Sequence, residues 1–233
     1  MPVRRVAALI AAVSLLALAT TLVNRVLPGW AYPLSGVVVV ACLLGVARWS
    51  GLRAPDLGLD RRHLGRAALV GLVGLALVGV AFAVALAVPA LREAFNDGRM
   101  DATGVGALLW VALVRIPLGT VLLEEIAFRG VLPALFGAGE DWRWLPVLAA
   151  SALFGLWHVL PSLALSQNAA VAGVFGGVPV WVTSAVAVVA SAVAGVVLHW
   201  WRHAGRGVLA PALVHTATNS GGLAVSWWVL TAG

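Results

Sequence analysis

"VGALLWVALVRIPLGTVLLEEIAFRGVLPALF" (residues 105–136) decides how this chain folds. The stretch exceeds the roughly 20 mostly apolar residues that one helix needs to cross a bilayer. Four charged side chains stand inside it: Arg115, Glu124, Glu125 and Arg129. An ionisable group costs about 2.5 to 3.5 kcal/mol at the centre of a span, so such groups face the interior of a bundle and mark function. The expected fold is therefore a bundle of membrane-crossing helices, with one of them carrying the chemistry.

The rest of the chain agrees. Of 233 residues, 62% are hydrophobic and 10% charged, and the mean hydropathy is +1.02, far from the balance of a soluble domain. Windows of about 20 residues give candidate spans near 6–24, 30–47, 67–90, 105–136, 144–162, 178–200 and 208–231. The fold class is all-α, a polytopic transmembrane bundle of about seven spans, within a range of about six to eight. Residues 1–233 read as a single integral membrane domain with a motif-bearing core at 105–231. There is no water-soluble second domain, low-complexity tract or internal repeat to divide it.

All 15 basic residues are arginine. With no lysine, a lysine nucleophile or a Ser-Lys dyad is excluded. The net charge of +6 does not point to nucleic acid, because the arginines follow topology instead of forming one basic face. Under the positive-inside rule a cytoplasmic N-terminus places Arg4, Arg5, Arg48, Arg53, Arg61, Arg62, Arg66, Arg143, Arg202 and Arg206 inside, and leaves Arg25, Arg92 and Arg99 outside. The first segment also has the basic start and small-residue A-L-A of a cleaved signal peptide, but its apolar run continues to Val23 and a second span follows, so a retained helix is expected. The lone Cys42 lies within a span and forms neither a disulfide framework nor a cysteine metal site.

Helical spacing sorts the buried charges. Glu125 and Arg129 are four apart and share a face, so they can pair and offset much of their burial cost. Glu124 is turned by about 100 degrees from Glu125 and is expected to stay available for chemistry. Its alternative is a second brace toward Arg115. Pro117 is expected to kink or interrupt this helix. The fifth span offers Phe154 and His158, and the seventh His215 and Asn219, each pair at i, i+4 and so on one face. Counted from the nearest cytoplasmic turn, Glu124, His158, His215 and Asn219 lie at depths of about 12 to 22 Å.

A carboxylate removed from bulk water can act as general base toward a water molecule. A histidine can hold that water or pass a proton to a leaving amine. A second histidine and an amide can donate to the oxyanion of a tetrahedral intermediate. Rival chemistries lack their residues: there is no H-E-x-x-H, no aspartate in a predicted span, and no G-x-S-x-G around Ser220. His199 and His203, beside Trp200, Trp201 and Arg202, read as an interfacial anchor, with a second metal site as the alternative. Trp142, Trp144, Trp227 and Trp228 read the same way. The loop at 48–67 reads as a surface turn near anionic headgroups, carrying His63, with substrate docking as its alternative.

The ordered motifs E-E-x-x-x-R, F-x-x-x-H and H-x-x-x-N, here Glu124, Glu125 and Arg129, then Phe154 and His158, then His215 and Asn219, resemble the CPBP family of intramembrane proteases. This family is also called the CAAX-protease and bacteriocin-processing or Abi family. The likeness covers the fourth span to the seventh; before residue 105 it is one of general topology. It implies a glutamate-dependent endopeptidase in which Glu124 and His158 activate water, His215 and Asn219 form the oxyanion site, and Glu125, Arg129 and Phe154 support them. It implies a membrane protein or peptide as substrate, and it leaves zinc, prenylation and oligomeric state open. No cofactor is required by the residues themselves. A lysine-free, arginine-rich chain suggests a bacterium of high genomic GC content and hence an inner (plasma) membrane location. A noncatalytic protein, such as a bacteriocin self-immunity factor or a proton-coupled carrier, is the alternative that the same buried charges allow.

Overall fold

The computed structural model describes residues 3–95, 104–139, 141–163, 165, 171, 173 and 176–232, and Arg99 of the orientation argument lies outside them. The described residues form helices and no strand. The long elements are α1 (Val3–Arg25), α2 (Tyr32–Trp49), α3 (Leu64–Ala87), α4 (Val105–Leu135), α5 (Trp144–Trp157), α6 (Val180–Gly205) and α7 (Leu209–Ala232).

Five helical segments are long and apolar enough to cross a membrane: Val3–Arg25, Gly29–Trp49, Arg61–Ala87, Val105–Leu135 and Val180–Gly205. Their apolar residues face mostly outward. The most hydropathic stretch of Arg61–Ala87 averages 2.7, yet only 11% of it is buried by protein, so hydrocarbon is the environment that suits the remainder. The chain is a multi-pass membrane protein. α5 is apolar but shorter. It stops at His158, where the backbone leaves helical geometry (φ −85°, ψ 2°), and a separate turn, Val159–Ser162, completes the segment expected at 144–162. α7 interrupts its apolar run with "HTATNSGG" (residues 215–222) and is not among those five.

The core forms where α1, α2, α4 and α5 meet. α1 contributes Ala8, Ala12, Leu16 and Ala19, a stripe of three- and four-residue steps, and α2 contributes Val39, Leu43 and Ala47 in the same rhythm. α4 is buried almost all round from Leu123 to Leu135, so it is the pillar against which the others pack. α2, α5 and α7 all contact it, while α3 packs on α7 and α6 on α5.

Small residues set these distances, as expected where no hydrophobic drive separates protein from lipid. A Cβ on Gly36 of α2 would lie 2.5 Å from the Leu118 carbonyl oxygen of α4, and one on Gly119 would lie 2.9 Å from the Tyr32 carbonyl carbon. The two glycines let α2 and α4 touch backbone to backbone.

Pro117 does not break α4. Instead Val111–Val121 and Ile126–Val131 wind with wide π turns around an ordinary helical turn, Leu122–Glu125. The Leu122 N–H donates to the Pro117 carbonyl, five residues back, and the Leu132 N–H donates to Ala127 in the same way. The expected kink is realised as widening on both sides of the glutamate pair, a device common at functional sites.

Candidate active site

Glu124, Glu125 and Arg129 are 3%, 1% and 0% exposed, so all three charges face protein. Arg129 Nη1 lies 3.3 Å from Glu125 Oε1, inside ion-pair range but off the line of a hydrogen bond. On its other side the guanidinium sits 4.0 Å above the Phe154 ring. A desolvated cation over an aromatic face is worth about 2 kcal/mol or more, which gives Phe154 an electrostatic task beyond packing.

The same Glu125 oxygen has a second partner. His215, 6% exposed, brings Nδ1 to 2.7 Å from Glu125 Oε1, and its Nε2 lies 3.7 Å from Glu124 Oε2. Glu125 thus does not pair with Arg129 alone; it also orients the histidine of α7. Neighbouring helical residues diverge by about 100 degrees, but two long carboxylate side chains can converge on opposite ends of one imidazole. The i, i+4 pairing of Glu125 with Arg129 follows from helical spacing, and the reach of both carboxylates to one imidazole does not.

Glu124 has a partner outside the motifs. Trp157 donates its indole N–H to Glu124 Oε1 at 2.9 Å. Oε2 of Glu124, like Oε2 of Glu125, is buried without a hydrogen bond, and it is the Glu124 oxygen that lies near His215 Nε2. Arg115 is not a brace for Glu124: its guanidinium lies 4.2 Å above the Tyr32 ring.

His158 stands next to Trp157 in sequence but points elsewhere. Its Nδ1 lies 2.8 Å from the Phe154 carbonyl oxygen, an acceptor, so Nδ1 carries the proton and Nε2 is the free nitrogen. The ring meets Phe154 edge to face at 4.6 Å between centroids, and Phe154 meets His215 at 6.1 Å. Phe154 therefore sits among Arg129, His158 and His215. His158 makes no direct hydrogen bond to Glu124. Asn219, one turn beyond His215 on α7, is exposed. The structure brings together Glu124, Glu125, Arg129, Phe154 and His215, with His158 reaching the group through Phe154.

His199 differs from the anchor reading. It is 4% exposed and its Nδ1 bonds the Gly195 carbonyl at 3.0 Å, so it belongs to the bundle interior. His203 is exposed and meets Trp142 at 5.8 Å.

A metal ion fits these residues poorly. Among the described residues no three His, Cys, Asp or Glu side chains are grouped so as to hold one.

The family model described as type II CAAX prenyl endopeptidase Rce1-like matches residues 106–221, a stretch that includes every motif residue from Glu124 to Asn219. No curated protein and no solved structure matches the chain.

Proposed function

Starting from a chain that belongs, through residues 106–221, to the Rce1-like family of type II CAAX prenyl endopeptidases, we propose that it is an intramembrane endopeptidase acting by glutamate-activated water. The substrate is a membrane-associated protein or peptide, processed in the CAAX manner. The whole chain serves as one membrane domain in the inner (plasma) membrane, with seven spans and a cytoplasmic N-terminus.

The observation that carries this reading is the pair of atoms Glu124 Oε2 and His215 Nε2, 3.7 Å apart and buried. The gap is too long for a direct hydrogen bond, and a water touching both atoms at ordinary distances suits it. Glu124 takes a proton from that water as its oxygen attacks the scissile carbonyl. In the imidazolium form of His215, with Nδ1–H held by Glu125, the Nε2–H can donate to the oxyanion, and the Asn219 amide is the second donor. His158, through its free Nε2, assists removal of the water proton and its delivery to the leaving amine. Glu125 and Arg129 hold His215 in orientation, and Phe154 faces the guanidinium.

Each of these steps is assigned to a side chain of the protein, and none is routed through a metal. Purified Glu124→Ala and His158→Ala proteins are expected to fold and to lose cleavage of a membrane peptide. Full activity in either one sinks the assigned mechanism.

A further inference from the structure

We propose that Trp157 is a positioning residue that fixes the plane of the Glu124 carboxylate, so that one oxygen stays directed at His215. The proposal rests on the reading of Glu124 as the water-activating base. Three observations carry it.

The indole N–H bonds Glu124 Oε1 at 2.9 Å and leaves Oε2 as the oxygen that faces His215 Nε2 at 3.7 Å. A carboxylate's last torsion is broad, so without a donor the plane of the group swings at little cost and neither oxygen stays directed at His215. With the N–H in place, one oxygen is spoken for and the other is aimed.

Second, the ring is not enclosed by the core. Trp157 packs on the core cluster but is only half-buried, and it lines an open apolar cavity of about 210 Å³ together with Val13, Leu16, Thr20, Phe128 and Leu156. Its N–H nevertheless turns to the protein side, onto Glu124.

Third, the ring's supports fix it. Trp157 is the last residue of α5, where the His158 N–H closes a tight turn onto the Gly155 carbonyl at 3.0 Å. Phe128 of α4 meets the indole edge to face at 5.8 Å, three residues beyond Glu125 on the same helix as Glu124. The aromatic contact and the hydrogen bond thus tie the end of α5 to both ends of one helical turn of α4. The end of α5 divides two tasks between adjacent residues: Trp157 holds the carboxylate, and His158 turns its ring onto Phe154.

A residue of this kind acts on the turnover of bound substrate, so its loss appears in kcat and leaves KM in place. The test uses the full-length protein in liposomes cleaving a membrane peptide, with tryptophan at position 157 replaced by phenylalanine (Trp157→Phe) and, by an expanded code, by benzothienylalanine. The second residue keeps the shape of tryptophan and puts sulfur where the N–H was. Losing one hydrogen bond to a charged group predicts a fall in kcat of about tenfold to a hundredfold in both variants. KM stays within about twofold, and the benzothienylalanine protein melts where the unmodified protein does. A benzothienylalanine protein with unchanged kcat overturns the proposal, whatever Trp157→Phe does, because only the N–H has been removed. Glu124→Gln separates the two claims. If it keeps full activity, the reading of Glu124 itself falls; if it is inactive while the benzothienylalanine protein is not, only the role of Trp157 falls.

Discussion

Glu125 Oε1 serves both Arg129, at 3.3 Å, and His215 Nδ1, at 2.7 Å. Removing one member of a buried ion pair strands the other and costs about 3 to 5 kcal/mol, so Glu125→Ala is expected to lower the melting temperature sharply. Replacing both, as in Glu125→Leu/Arg129→Leu, is expected to recover much of that stability, since apolar pairs often substitute for buried charges. Activity is not expected to return, because His215 still lacks its acceptor. Thermal melts and cleavage assays on the single and double variants check both statements, and a double variant that cleaves normally removes Glu125 from the positioning of His215. At this scale the sequence singled out these residues through their cost: charged groups in an apolar helix need a reason. It did not disclose Trp157 as a partner, because in a chain with 11 tryptophans one more reads as lipid anchoring. The unsatisfied side of Glu124 had no candidate donor until α5 was placed beside it.

The helices themselves were legible from hydropathy: each candidate stretch contains a helix, and five of the described helical segments are long and apolar enough to cross a membrane. What hydropathy does not carry is winding. The π turns on both sides of Leu122–Glu125 follow from a proline without an N–H and from packing on several sides, neither of which alters the apolar pattern. The break of α5 at His158 was hidden for the same reason, since the apolar run continues through it. Close approach is the other element-scale property. At Gly36 an added methyl meets the backbone of Leu118, which cannot swing away, so Gly36→Ala is expected to cost about 1 to 3 kcal/mol. Gly45, on the same helix, has nothing within 4 Å of an added Cβ, so Gly45→Ala is expected to leave stability unchanged or slightly raised. Equal melting temperatures for the two variants contradict the proposed contact between α2 and α4.

Across the whole molecule, apolar surface turned outward and charge gathered at one deep point describe a protein whose solvent is lipid and whose chemistry is kept from it. The arginine distribution predicts sidedness. A cysteine placed at Arg62, in a background where Cys42 is replaced by alanine, is expected to react with a membrane-impermeant maleimide only from the cytoplasmic side. One placed at Arg25 is expected to react only from the other side. Reversed labelling overturns the orientation while leaving the site intact. Sequence alone reached the helical bundle and its motifs; the pairing of His215 with both carboxylates required the helices to be set against one another.

The central claim is that Glu124 holds and activates the attacking water, and one measurement addresses it most directly. Purified protein and its Glu124→Gln variant, reconstituted in liposomes, are given a membrane-anchored peptide with a CAAX-type end, and the products are read by mass spectrometry. A single cut is expected in the wild type. In a variant that melts at the same temperature, the expected rate is lower by about a thousandfold or more, since an amide takes no proton from water. Cleavage at an equal rate by Glu124→Gln would contradict it.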